Sequence, residues 1–185
     1  MQQIQQRCVE AYRQHQNLKV AAQHVGIPWQ TVYAHLRSAG EPVTGNKAVY
    51  GSEKDKLAAA GERLFSVMVP LAENQNVKKF QSKMDFLVRG YGVDVKTSTP
   101  RLGHKGQSVE RWAFSMKKQE MTADFVVCLC MNKDHTLNKC LLIPGEIIRH
   151  YQSISVSVRG GTKWHDYEIN SSELHRFFDS LPKEK

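Results

Sequence analysis

The hydrophobic spacing of this chain changes period once, and that change limits what it can fold into. Through the first third of the chain, apolar residues recur at helical spacing. Ile4, Cys8, Val9 and Tyr12 form one such stripe, and Leu18, Ala21, Ala22 and Val25 form a second. From Met84 onward the apolar residues alternate with polar ones or run together, as they do in strands. A helical front followed by a strand-rich back predicts a mixed protein, α+β or α/β, with a sheet flanked by helices.

The punctuation divides the front further. Gly26 stops the second helix, and Pro28 suits the first turn of a third that runs through Thr31, Val32, Tyr33 and Leu36 to Gly40. Residues 1–40 therefore read as a three-helix domain. Residues 41–52, rich in Pro, Gly and Asn, read as a linker. Ser52 and Asp55 are spaced as a capping box for a helix that carries Leu57, Glu62, Leu64 and Phe65. Strands are expected at 84–88, 92–97, 111–116, 124–131 and 139–143, with another at 154–158. A short helix is expected at 146–151, and a last one, capped by Ser172, docks through Leu174, Phe177, Phe178 and Leu181. Residues 53–185 would then form one sheet domain.

Lys and Arg outnumber Asp and Glu by 26 to 18, giving a net charge of +8, which attracts polyanions through counterion release. No apolar run reaches the ~20 residues of a membrane-spanning helix, and the first residues carry no apolar signal-peptide core. The expectation is a protein of the cytoplasm or nucleoid, without a membrane partner. Cys8, Cys128, Cys130 and Cys140 match no zinc spacing and read as small buried residues in a reducing compartment.

Residues 18–36 resemble a helix-turn-helix. Ala21 and Ala22 allow close helix approach, Gly26 allows a positive φ in the turn, and Ile27, Val32 and Leu36 hold the second helix to the first. That leaves Trp29, Gln30, Thr31, Tyr33, His35 and Arg37 at the outer side or ends of the second helix, where such residues suit base edges and phosphates of double-stranded DNA. A plain helical hairpin docked on the rest of the protein would share the same small residues and turn.

In the strand region, Asp94 and Lys96 alternate with Val93 and Val95 and so share one face. With Gly90 and Tyr91 as a two-residue hairpin loop, residue 85 falls opposite 96 and residue 87 opposite 94, which brings Asp85 to the face of Asp94 and Lys96. Glu62 lies in a helical stripe with Ala58, Gly61 and Phe65, so it faces the protein and needs a cationic partner. Glu62, Asp85 and Asp94 offer hard oxygens suited to magnesium or manganese. A surface Asp–Lys pair on a half-exposed hairpin would show the same strand pattern.

The order Gly61-Glu62, then 83–88, then 93–98 resembles the PD-(D/E)XK nuclease superfamily, which includes restriction endonucleases, Holliday-junction resolvases and some homing endonucleases. The resemblance covers roughly residues 53 to 150. Asp85 matches its first acid, Asp94 its second, Lys96 its lysine and Glu62 its helical glutamate; Met84 stands where the motif has proline. The resemblance implies a restriction-endonuclease-like mixed sheet and magnesium-dependent hydrolysis of DNA phosphodiesters. It implies metal ligation by Glu62, Asp85, Asp94 and the Val95 carbonyl, and charge stabilisation by Lys96. Thr97, Ser98, Arg101, His104 and Lys105 would then contact phosphates, the last three from a basic loop; a solvated hairpin loop would account for them equally. The expected function is a DNA endonuclease of the site-specific, homing or phage type, targeted by the helix-turn-helix. The alternative is a non-catalytic DNA-binding regulator on a nuclease-like scaffold. Duplex cleavage would need two sites, hence a homodimer, whereas nicking needs one.

Overall fold

Asn17 and Gly26 fix the two ends of a helix as the sequence suggests. The Asn17 side chain accepts hydrogen bonds from the amides of Lys19 and Val20, and Gly26 takes a left-handed φ of 80°. The computed structural model, which describes residues 2–77, 82–103, 108–116 and 122–182, places three helices here. They are α1 (Gln2–His15), α2 (Leu18–Val25) and α3 (Trp29–Ser38). Cys8, Ala11, Tyr12, Ala21, Ala22, Val25, Val32 and Leu36 form their shared core, so the apolar stripes of the sequence are the contact surfaces.

The described residues divide into two compact units, one of residues 1–56 with 75–82, the other of 57–74 with 83–185. The first unit reaches beyond the expected boundary at residue 40. Within the segment read as a linker, Asn46 caps a short helix, α4 (Lys47–Tyr50). The Tyr12 hydroxyl accepts a hydrogen bond from the Gly45 amide, and Arg13 pairs with Glu41 through two hydrogen bonds. These long-range bonds order a stretch whose local composition favours disorder. The Ser52–Asp55 box forms as expected and opens α5 (Glu53–Met68).

In the second unit the strands are β1 (Glu73–Asn74), β2 (Phe86–Val88), β3 (Tyr91–Ser98), β4 (Arg101–Leu102), β5 (Glu110–Ser115), β6 (Phe125–Met131), β7 (Leu137–Pro144), β8 (Ser153–Ser157) and β9 (Glu168–Ile169). Two further helices are α6 (Gly145–Ile148) and α7 (Leu174–Ser180), and a 3-10 turn covers Lys163–Tyr167. Among the described residues they make a mixed sheet in the order β1-β2-β3-β6-β7-β9 and a smaller antiparallel sheet, β4-β5-β8. Only β3 and β6 of the larger sheet run parallel. The mixed α and β architecture is the one the change of period predicts.

The continuous apolar run of β6 has a structural cause: the strand is buried on both faces. Val127, Leu129 and Met131 meet Phe65 of α5, Val69 just beyond its end, and Leu174 and Phe178 of α7. Val126, Cys128 and Cys130 meet Trp112 and Phe114 of β5 and Ile154 and Val156 of β8. The four cysteines are buried and free, as the sequence suggests. Ser172 does not cap α7. The helix opens at Glu173 without a side-chain cap, and Ser172 donates instead to the Asn170 side chain through its amide and hydroxyl.

Candidate functional site

The hairpin of β2 and β3 turns at Arg89 and Gly90, not at Gly90 and Tyr91. Both turn residues have positive φ, 55° and 99°, the geometry a two-residue hairpin turn needs to match strand twist. Phe86 therefore pairs with Val93 and Val88 with Tyr91. The paired register ends at Phe86, and Asp85, in a bend just before it, donates its amide to the Val93 carbonyl and does not pair with Lys96 as the earlier turn would have it. The shift is two residues, so every side chain keeps its face.

Phe86, Val88, Val93 and Val95 enter the core under α5 and α7. Asp85, Asp94 and Lys96 occupy the other face. There Lys96 Nζ lies 2.6 Å from Asp94 Oδ2, and Asp85 Oδ2 accepts a hydrogen bond of 2.8 Å from the Val95 amide. Lys96 stands beside Cys128 in the parallel register of β6, so the floor next to the charges is a buried thiol.

Burial and the charges together set the protonation of this group. Burial pushes the Asp94 carboxyl up to about 7; Lys96 opposes the shift, while the charge of Asp85 and a hydrogen bond to it add to it. Burial alone would depress Lys96, but the negative charges of Asp94 and Asp85 and the bond to Asp94 hold its ammonium above the ordinary lysine value. Two close carboxyl groups thus stand beside one ammonium, with Asp94 drawn toward its protonated form.

The hard oxygens of Asp85 and Asp94 suit a divalent cation, and the two acids stand close together beside the Lys96 ammonium. Glu62 is half-buried on α5, and α5 packs against the opposite face of β3. A Cβ added at Gly61 would lie 1.8 Å from Thr97 Oγ1, which shows how closely that helix approaches the strand. Among the described residues no group of three or more His, Cys, Asp or Glu side chains is arranged for a metal.

The phosphate-binding expectation separates in the same way. Thr97 points to α5, away from the acids, and its Oγ1 is buried without a hydrogen-bond partner. Ser98 is buried as well; its hydroxyl donates to the Thr99 carbonyl and accepts from the Ala113 amide, tying β3 to β5. Both are therefore structural contacts, and neither offers a free hydroxyl to a phosphate. Arg101 is exposed on β4, opposite Arg111. His104 and Lys105 lie outside the described residues. In the first unit Trp29, Gln30, Thr31, Tyr33 and Arg37 are exposed on α3, while His35 is half-buried and its carbonyl accepts from Gln5.

The structure also adds residues that spacing did not single out. The Asp124 carboxylate accepts from the Gly92 amide at 2.7 Å, and its own amide donates to the Gly92 carbonyl, locking the start of β3 to β6. Trp164 is buried between Tyr151 and Tyr167. No protein-family model matches this chain, and no curated protein is similar to it.

Proposed function

We propose that this protein is a magnesium-dependent DNA endonuclease of the PD-(D/E)XK type, with its first unit acting as a helix-turn-helix that holds double-stranded DNA. The observation that carries the reading is the group of Asp85, Asp94 and Lys96 gathered at one hairpin, with Lys96 Nζ 2.6 Å from Asp94 and Asp85 Oδ2 bonded to the Val95 amide. Supporting it, α3 presents Trp29, Gln30, Tyr33 and Arg37 to solvent, and residues 1–40 carry four Lys or Arg against the single acid Glu10.

Asp85 and Asp94, with the Val95 carbonyl, would hold the cation. When bound, it supplies polarisation of the scissile phosphate and a water of lowered pKa. Lys96 is kept protonated by its two acidic neighbours, so it acts as a cation and not as a proton acceptor. Its ammonium stabilises the charge that builds on the phosphate oxygens during displacement. Asp85 bonds to the Val95 amide, which orients its carboxylate along β3. Glu62 of α5 would bind a second cation or position the first through water. Trp29, Gln30 and Thr31 at the start of α3 meet the major groove, and Arg37 meets a phosphate.

The test is supercoiled plasmid incubated with the full chain and magnesium, beside an EDTA control and Asp94→Ala. The expected outcome is nicked or linear DNA with the unaltered chain only, and a loss of at least ~100-fold in the variant. Cleavage that persists in Asp94→Ala removes this site from the reaction. DNA binding with no cleavage of plasmid, nicked or branched DNA establishes the regulator reading in its place.

A further inference from the structure

The first unit contains a groove of about 1220 Å³, and one of its walls is the segment whose composition reads as a linker. Tyr33 and Arg37 of α3 line it with Lys19 of α2 and Lys47 and Tyr50 of α4. Three features of this groove point to one kind of ligand.

The first is charge. Lys19, Arg37 and Lys47 all line the groove, and none of them forms an ion pair among the described residues. Glu41, the acid of the lining, is already neutralised by two hydrogen bonds from Arg13. What remains is a cationic channel that complements a phosphate chain. The second is aromatic surface. Tyr33 is 42% exposed and Tyr50 46% exposed, so each offers a ring to the groove without serving the core. Exposed rings beside cations match unpaired bases, whose flat faces stack on aromatic side chains. Paired bases in a duplex keep those faces stacked on each other. The third is order. The Tyr12–Gly45 bond, the Arg13–Glu41 pair, the Asn46 cap and the Ser52–Asp55 box fix the wall from both ends, so the groove exists before any ligand arrives.

A helix reads duplex DNA by projecting its face into the major groove. The Tyr33 and Arg37 side of α3 does not project freely, since it shares the groove with the 42–51 wall. Trp29 and Gln30 at the start of the helix lie outside this groove's lining. We propose that this groove binds an unpaired DNA strand next to a duplex held at the start of α3, so that the preferred substrate is a junction of double- and single-stranded DNA. This rests on the reading that the first unit binds DNA, and it is independent of the metal chemistry.

The test is fluorescence anisotropy of the full chain in EDTA, which separates binding from cutting. The probes are a blunt duplex and the same duplex carrying an unpaired arm. The forked probe is expected to bind about tenfold more tightly than the blunt one. Tyr50→Ala should remove that advantage and leave the blunt duplex unchanged, and Tyr50→Phe, which keeps the ring, should retain it. Lys47→Gln should flatten the salt dependence of the forked probe alone. Equal binding of blunt and forked probes, or equal weakening of both by Tyr50→Ala, overturns the inference while leaving duplex binding in place. Failure of every probe to bind overturns the DNA-binding reading along with it.

Discussion

On one face of β3, Val93 and Val95 pack with Phe65, Phe86 and Phe178 in a core closed by two helices. On the other face, Asp94 and Lys96 hold each other at 2.6 Å beside Asp85. The same eight residues thus serve two kinds of stability. The first face gains from the removal of apolar surface from water and tolerates no change of shape. The second exposes little to water yet keeps three ionisable groups, and its stability depends on pH and on whatever cation is present. A scaffold held rigid from one side can carry an electrostatically unfavourable group on the other.

The largest effect should come from closing the approach on the apolar face. Gly61→Ala improves the intrinsic helix preference of α5 by about 1 kcal/mol. Against that, the new methyl would sit 1.8 Å from Thr97 Oγ1 and 3.0 Å from Thr97 Cβ. Thr97 is β-branched and held in a strand, so it has no flexible end to swing aside. The net expectation is a loss of ~3 kcal/mol in urea unfolding. A stabilised variant would show that helix preference, not packing, governs this contact. Partial recovery in a Gly61→Ala, Thr97→Ala double variant would place the clash at this pair.

The acid face should respond with the opposite sign. The Asp94 carboxyl titrates near 3.8 when free and is pushed up to about 7 here, so the folded chain binds that proton more tightly than the unfolded chain. The resulting stability is fully present below 3.8 and is lost as pH rises through about 7. Asp94→Asn cannot titrate. Its stability relative to the unaltered chain should therefore rise across that window and level off above it, at a gain of ~1–2 kcal/mol. Thermal unfolding of both proteins at a series of pH values gives the difference curve; a flat curve would mean that the fold does not hold Asp94 in its protonated form. Magnesium should raise the melting temperature of the unaltered chain more at pH values above that window than within it, because a cation and the proton compete for the same oxygens. The variant should lose that dependence.

The alternation of residues 93–96 made the two faces legible from sequence, since side-chain direction on a strand follows from parity alone. The partner of Asp85 was not legible. The turn at Arg89 and Gly90 needs two positive φ values, and Arg89 carries no signal for one. Parity survived the two-residue shift within the hairpin, whereas Asp85, in the bend before β2, reaches Asp94 through its side chain and not by pairing with Lys96. Glu62 was harder still: its helical stripe says that it faces the protein, but which face of the sheet its helix covers is a tertiary fact. The 41–51 segment shows the same limit. Its glycines and proline describe local freedom, whereas Tyr12 and Arg13, some thirty residues away in sequence, remove that freedom.

Thr97 gives the smallest and most discriminating test of the two-face comparison. By parity it belongs with Val93 and Val95, yet a hydroxyl so close to the acids in sequence invites a role in phosphate binding. The structure turns it toward Gly61 and buries its Oγ1 without a hydrogen-bond partner. A polar atom in that setting has lost its water and gained nothing in return. Thr97→Val keeps the branched shape and replaces the hydroxyl with a methyl. If the apolar face has no chemical duty, the variant should be more stable by ~1 kcal/mol and should cut plasmid DNA at the unaltered rate. Reduced cutting with unchanged stability would move Thr97 to the working side of the strand, and the division between the two faces of β3 would have to be redrawn.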